Sequence, residues 1–193
     1  GEKAVDVSAD APFDRREYAD FPAKGRTLTV TNPDAGPLYV NIYRRGVPPA
    51  GVETASSEGL SIDVKFRDMK MNALPVEKIS QGLDLVAEVR VKNLTLGRLR
   101  NLVLTHLTAA GFQIKNPRFG GEAGAVADVD YQDIRDDRVY TYFELGAGEE
   151  KVFLVVMNAS YRGRYYQPGV AVEAMYDAAV HANTKGQWVE IVR

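Results

Sequence analysis

The residues of this chain with the most chemical potential are two histidines, a cluster of aspartates, a glycine-rich loop and a tyrosine–arginine run. His106 and His181 are far apart in the sequence, and a metal site needs several His or carboxylate ligands to converge. His106 sits in an apolar strand-like run, where we expect a satisfied core or edge histidine. His181 follows a turn-like stretch, and we expect it to be solvated. The segment DVDYQDIRDDR gathers Asp128, Asp130, Asp133, Asp136 and Asp137. Calcium favours such oxygen clusters, but the Gly and Glu that an EF-hand loop requires at its sixth and twelfth positions are missing. We read the segment as a charged hairpin in which Asp caps turns and protects an edge from aggregation.

Nucleophilic chemistry finds little support. A Ser-His-Asp triad assembles from distant positions, so counting residues does not exclude it. No G-x-S-x-G elbow is present, however, and neither is the α/β layout that carries it. The chain has no cysteine, which rules out disulfides, thiolate metal sites and cysteine nucleophiles within it. GGEAGA lacks the Lys-Ser/Thr of a phosphate loop and its strand-to-helix context, and it reads as a loop. YRGRYYQPG sets Arg162 and Arg164 among Tyr161, Tyr165 and Tyr166, a mixture able to stack on bases. With acids and bases interspersed and a net charge of −2, a tyrosine-rich strand edge explains it equally well. Asn93-Leu94-Thr95 and Asn158-Ala159-Ser160 fit the glycosylation sequon, a pattern common by chance. Nothing here points to a nucleic-acid partner, a metal, a cofactor or an enzyme.

The elements that would position these residues are strands. LSIDVKFR alternates Leu60, Ile62, Val64 and Phe66 with Ser61, Asp63, Lys65 and Arg67, the period of a half-buried strand. LDLVAEVRVKN does the same with Leu83, Leu85, Ala87, Val89 and Val91, and RVYTYFEL with Val139, Thr141, Phe143 and Leu145. KVFLVVMNA is apolar on both faces, as expected of a central strand covered on both sides. RTLTVTN, LYVNIYRR, NLVLTHL, GVAVEAMY and QWVEIVR are further strands, separated by turn signals such as Asn32-Pro33-Asp34, Gly146-Ala147-Gly148 and Pro168-Gly169. Only VETASSEG and DAAVHANT suggest a short helical turn. No apolar run approaches the ~20 residues of a membrane-spanning helix, so direct membrane insertion is not expected. The opening GEKAVDVSADAPF does not read as a signal peptide.

The fold class is therefore all-β, most simply a β-sandwich. A Pro-, Gly- and Ser-rich joint near residues 50–58 divides the chain. Residues 1–57 hold too few strands for a sheet of their own and read as a partial β segment. Residues 58–193 read as a β-sandwich domain with enough strands to close.

Several stretches in this order resemble the C-terminal end of bacterial alpha-2-macroglobulins, and the resemblance covers nearly the whole chain. LTVTNPDAGPLYVNIYRRGVP is similar to the returning strands of the family's CUB domain. LDLVAEVRVKN and LRNLVLTHLTAAGFQIKNPR are similar to the front half of its last macroglobulin domain. YQDIRDDRVYTYFELGAGEEKVFLVVMNASYRGRYYQPGVAVEAMYD is similar to the back half and is the most specific piece. The resemblance implies an immunoglobulin-like macroglobulin sandwich preceded by a partial CUB-like segment. It implies a non-catalytic part of a broad-spectrum endopeptidase inhibitor, or protease trap, that is periplasmic or extracellular.

In thioester-bearing members a reactive Cys–Gln bond is shielded from water by aromatic and Met side chains, partly from a loop matching VEAMYD. The resemblance thus implies Met175 and Tyr176 as shielding residues, with Tyr165 and Tyr166 as additional ones. It implies the thioester domain of the parent chain as partner and target proteases as indirect partners. The family's Cys-x-Glu-Gln motif is absent from this chain, and some members lack it altogether. Two alternatives stay open. Tyr176 could continue the apolar face of Val170, Val172 and Ala174, and the domain could be an immunoglobulin-like adhesion or carbohydrate-binding module with a Tyr161, Tyr165 and Tyr166 platform.

Overall fold

The computed structural model describes residues 13, 15, 17, 29–33, 36–43, 45–46, 49–115 and 129–193. Asp128 and the GGEAGA loop lie outside them. Among the described residues there are thirteen strands and no helix. Among them no helix is long and apolar enough to cross a membrane. The chain divides into two compact units, Gly1–Arg45 and Gly46–Arg193.

In the first unit the strands expected from RTLTVTN and LYVNIYRR do not form among the described residues. Val30, Leu38, Tyr39, Ile42 and Tyr43 are exposed there. Alternation favours a strand only when a neighbouring strand takes up its backbone hydrogen bonds and another layer covers its apolar face.

In the second unit three sheets build two layers. The six-stranded sheet runs in the order β1 (Ser56–Glu58), β12 (Asp177–Asn183), β11 (Ala171–Ala174), β5 (Leu99–Leu107), β8 (Arg138–Leu145), β7 (Tyr131–Ile134). A three-stranded sheet joins β10 (Gly163–Gln167), β13 (Gln187–Val192) and β3 (Lys78–Ser80), the last pair parallel. A four-stranded sheet joins β2 (Leu60–Asp68), β4 (Asp84–Asn93), β9 (Glu150–Ala159) and β6 (Phe112–Ile114).

The four-stranded sheet contributes to both cores. Leu60, Val89, Val91 and Phe153 meet Leu102, Leu104, Phe143, Leu145, Val172 and Ala182 of the six-stranded sheet. Leu85, Ala87, Val155, Met157 and Phe112 meet Ile79, Val189 and Ile191 of the three-stranded sheet. Phe143 and Phe153 meet across the layers at 4.6 Å between ring centroids, their planes tilted by 56°. The stretches expected to be helical turns are β1 and β12, which pair with each other from Ser56↔Asn183 to Glu58↔His181. Pairing of Ser56–Glu58 with β12 outweighs the weak helical pattern of these stretches.

β9 differs from expectation. Phe153, Val155, Met157 and Ala159 are buried, but Val152, Leu154 and Val156 on the other face are only half-buried. A two-layer sandwich covers one face of each sheet, even for a strand interior to its sheet. The outward face of β4 instead carries Glu88, buried and held by Arg90 Nε at 2.9 Å and Arg67 Nε at 3.2 Å. Burial pushes the Glu88 carboxyl up, but those two guanidinium bonds outweigh it and hold the group below its usual range.

Candidate functional site

The β11–β12 hairpin closes in two residues, Met175 and Tyr176, with Ala174 opposite Asp177. Val170 and Val172 are buried and Ala174 half-buried, but the inward alternation stops there. Met175 is 49% exposed and Tyr176 83%. The alternative in which Tyr176 extends the core face is therefore wrong, because the chain reverses at that residue and leaves the ring no layer to enter.

The tip is held from β5. Between Leu99 and Leu102 the β5–β8 register shifts by one residue, a β-bulge with Asn101 at φ 54°. Asn is among the few non-glycine residues that tolerate this left-handed conformation. The bulge turns the Asn101 carbonyl to accept the Met175 N–H at 3.0 Å. A second irregularity falls in β12, where Ala174 pairs with Asp177 but Glu173 with His181. Asp177 Oδ1 accepts the Ala179 N–H at 3.1 Å, and the His181 ring meets the Ala178 carbonyl through Nδ1 at 3.2 Å. Both anchors, Asn101 and Asp177, went unnoticed in the sequence. An Asn at a strand start and an Asp directly after the tip are the available signals, and they are weak.

Tyr165 and Tyr166 lie elsewhere, on β10 in the three-stranded sheet, and the structure does not bring them to the tip. Tyr165 packs against the core between the four- and three-stranded sheets, the lower core, and donates from its hydroxyl to the Arg162 carbonyl at 3.0 Å. It lies over Gly111, where an added Cβ would stand 2.4 Å from its ring. Tyr166 faces the opposite side, edge-on to Trp188 at 5.4 Å, and its hydroxyl donates to the Glu53 carboxylate. That bond holds Glu53 below its usual range, while burial, and then Glu53, raise Tyr166. Arg164 stacks over Trp188 at 4.5 Å from the ring centre. Adjacent strand residues point to opposite faces, so Tyr165 and Tyr166 do not form one platform with Tyr161.

The other candidates also resolve. Asp133 pairs with Arg135 at 3.0 Å and Asp137 with Arg138 at 2.6 Å on the β7–β8 hairpin. No group of three His, Cys, Asp or Glu side chains able to hold a metal occurs among the described residues. His106 is fully buried on β5, but it is not satisfied as expected. Neither ring nitrogen has a hydrogen-bond partner among the described residues. Burial pushes its pKa down to about 4, so it is neutral. His181 is half-buried in β12 rather than solvated. Asn93, the first sequon asparagine, is fully buried and used structurally.

The fold and this tip define a mostly antiparallel β-sandwich that presents a hairpin with two exposed apolar residues. Residues 59–178 match the family model of the bacterial alpha-2-macroglobulin MG10 domain. The chain belongs to the bacterial alpha-2-macroglobulin family. It is 24% identical over 183 residues to the alpha-2-macroglobulin of Pasteurella multocida, covering 92% of this chain and 9% of that one. The native Escherichia coli alpha-2-macroglobulin structure from domain MG7 to the C-terminus aligns with TM-score 0.69 and 15% identity, over 77% of this chain and 25% of that one. Salmonella alpha-2-macroglobulin reacted with methylamine aligns with TM-score 0.67 and 18% identity, over 77% and 10%. The chain thus spans about a tenth of the length of its full-length relatives.

Proposed function

We propose that this domain is the non-catalytic C-terminal macroglobulin domain of a periplasmic or extracellular endopeptidase inhibitor, and that it covers the parent's thioester domain. Residues 58–193 correspond to the sandwich, whose edge strand β1 starts two residues earlier at Ser56, and the residues before it to the tail of a CUB domain. The observation that carries this reading is the β11–β12 tip. A Met and a Tyr project from a two-residue hairpin whose backbone is fastened to Asn101. An activated acyl bond persists only where water is excluded. Tyr covers a large area with few rotatable bonds, and Met adapts to the contour it meets. Cleavage of the parent by a protease would release this contact, which makes it a two-state element. Tyr165 and Tyr166 then act indirectly, Tyr165 by packing the lower core and Tyr166 by fastening Glu53 to the sheet.

The test uses full-length parent, wild type and Tyr176→Ala, treated with methylamine while thiol release is followed. Faster release from the variant supports the shield. Equal release from both proteins sinks it, as does the absence of any thiol from folded protein. The same substitution in this chain alone should change unfolding stability by less than about 0.5 kcal/mol, since the ring is exposed.

A further inference from the structure

The end of the sandwich that carries Met175 and Tyr176 also carries the β4–β5 loop, residues 94–98, and the β8–β9 turn. Leu99 pairs with Leu145, and Asn93 Nδ2 donates to the Gly146 carbonyl at 2.8 Å, so the three connections share one end. On this loop Leu94 is 55% exposed and Leu96 is 101% exposed, as open as a side chain in an extended peptide.

The loop backbone is nonetheless tightly held. Asn93 Nδ2 also donates to the Gly97 carbonyl at 2.7 Å, and its Oδ1 accepts from the Thr95 N–H and hydroxyl, both at 2.8 Å. The Leu94 N–H donates to the Gly59 carbonyl at 3.0 Å. The polar groups are thus satisfied inward while the two leucines face out. An ordered loop holding bare leucine costs little entropy to dock, which is how a contact anchor gains affinity. The loop also adjoins the hairpin. A Cβ placed on Gly59, at φ 69°, would stand 3.4 Å from Thr95 Cγ2 and 3.5 Å from Val180 Cγ1 of β12. Loop and hairpin therefore flank the same glycine, and their apolar tips project from one end. Exposed apolar side chains gathered at one end of a domain mark a contact site.

We propose that Leu94 and Leu96 are a second anchor of the contact made by Met175 and Tyr176, docking into an apolar surface of the parent's thioester domain. The inference rests on the proposed function above. The occupant is argued from chain length and continuity. About nine-tenths of each full-length relative lies outside the matched region, and the leucines extend the surface already assigned to that domain. A polar, glycosylated loop is the competing use of Asn93-Leu94-Thr95. It fails because the Asn93 amide is buried and committed.

The test is thiol labelling in the full-length parent. This chain has no cysteine, so a peptide carrying the introduced one is distinguished by mass from the parent's thioester cysteine. Leu96→Cys and Tyr176→Cys parents are labelled separately with N-ethylmaleimide, natively and in urea, and the labelled peptide is followed by mass spectrometry. Native labelling of both slowed at least about tenfold supports the shared contact, since a docked side chain reacts only after local opening. Leu96→Cys labelling as fast as in urea while Tyr176→Cys is protected overturns this inference and leaves the proposed function standing. Fast labelling of both overturns both. Protection of Leu96→Cys alone, or protection that vanishes on dilution as contact with a second copy would, also overturns the shared contact.

Discussion

Acidification should weaken this domain through His106 well above the pH at which its carboxylates titrate. The ring is fully buried on β5 and neither nitrogen has a partner among the described residues; burial keeps it neutral down to about pH 4. In the unfolded chain it binds a proton near 6.5. Below 6.5 the unfolded state therefore holds more protons, and stability falls as pH falls until the folded-state value is passed. The difference between 6.5 and about 4 amounts to about 3 kcal/mol at 1.36 kcal/mol per pH unit, of which about 2 kcal/mol is lost between pH 7.5 and 5.0. The assay is urea unfolding of this chain, wild type beside His106→Leu, at pH 7.5, 6.0 and 5.0. Leu is close in size and removes two unpartnered nitrogens, whose desolvation costs roughly 1–3 kcal/mol. The variant should be at least as stable at pH 7.5 and should lose about 2 kcal/mol less on going to pH 5.0. Parallel pH dependence in the two proteins would refute the reasoning, because it would place the acid sensitivity elsewhere.

Asn101→Val should destabilise the domain by about 1–2 kcal/mol, since a β-branched residue resists φ 54°, while Asn101→Gly should be nearly neutral. Hydrogen exchange at the Met175 amide, which donates to the Asn101 carbonyl, should rise in the Val variant only. Gly169→Ala should cost about 3 kcal/mol by urea unfolding, because its Cβ would stand 2.0 Å from the Thr184 carbonyl oxygen, a backbone atom that cannot rotate away.

Much of the sandwich was legible because strand alternation is a local property. Leu85, Ala87, Val89 and Val91 share one face by their spacing alone, and all are buried. The same rule failed for LYVNIYRR, whose alternation is as clear but which forms no strand among the described residues. It failed again at Tyr176, where the period continues on paper past the residue at which the chain turns. Asn93 showed a sequon and proved to be the polar centre of a loop.

The sequence alone determined the fold class and the identity of most strands, which follow from near-neighbour spacing, and its quoted stretches carried the resemblance to the family. It also supplied Met175 and Tyr176 as a pair. The tertiary structure alone decided which sheets face each other, that Tyr165 and Tyr166 lie on the three-stranded sheet rather than at the tip, and that His106 is buried without a partner among the described residues. Each of these depends on residues distant in the chain. Burial and hydrogen-bond satisfaction are set by what the opposite layer and the neighbouring strand supply, and neither is written in a residue's own surroundings.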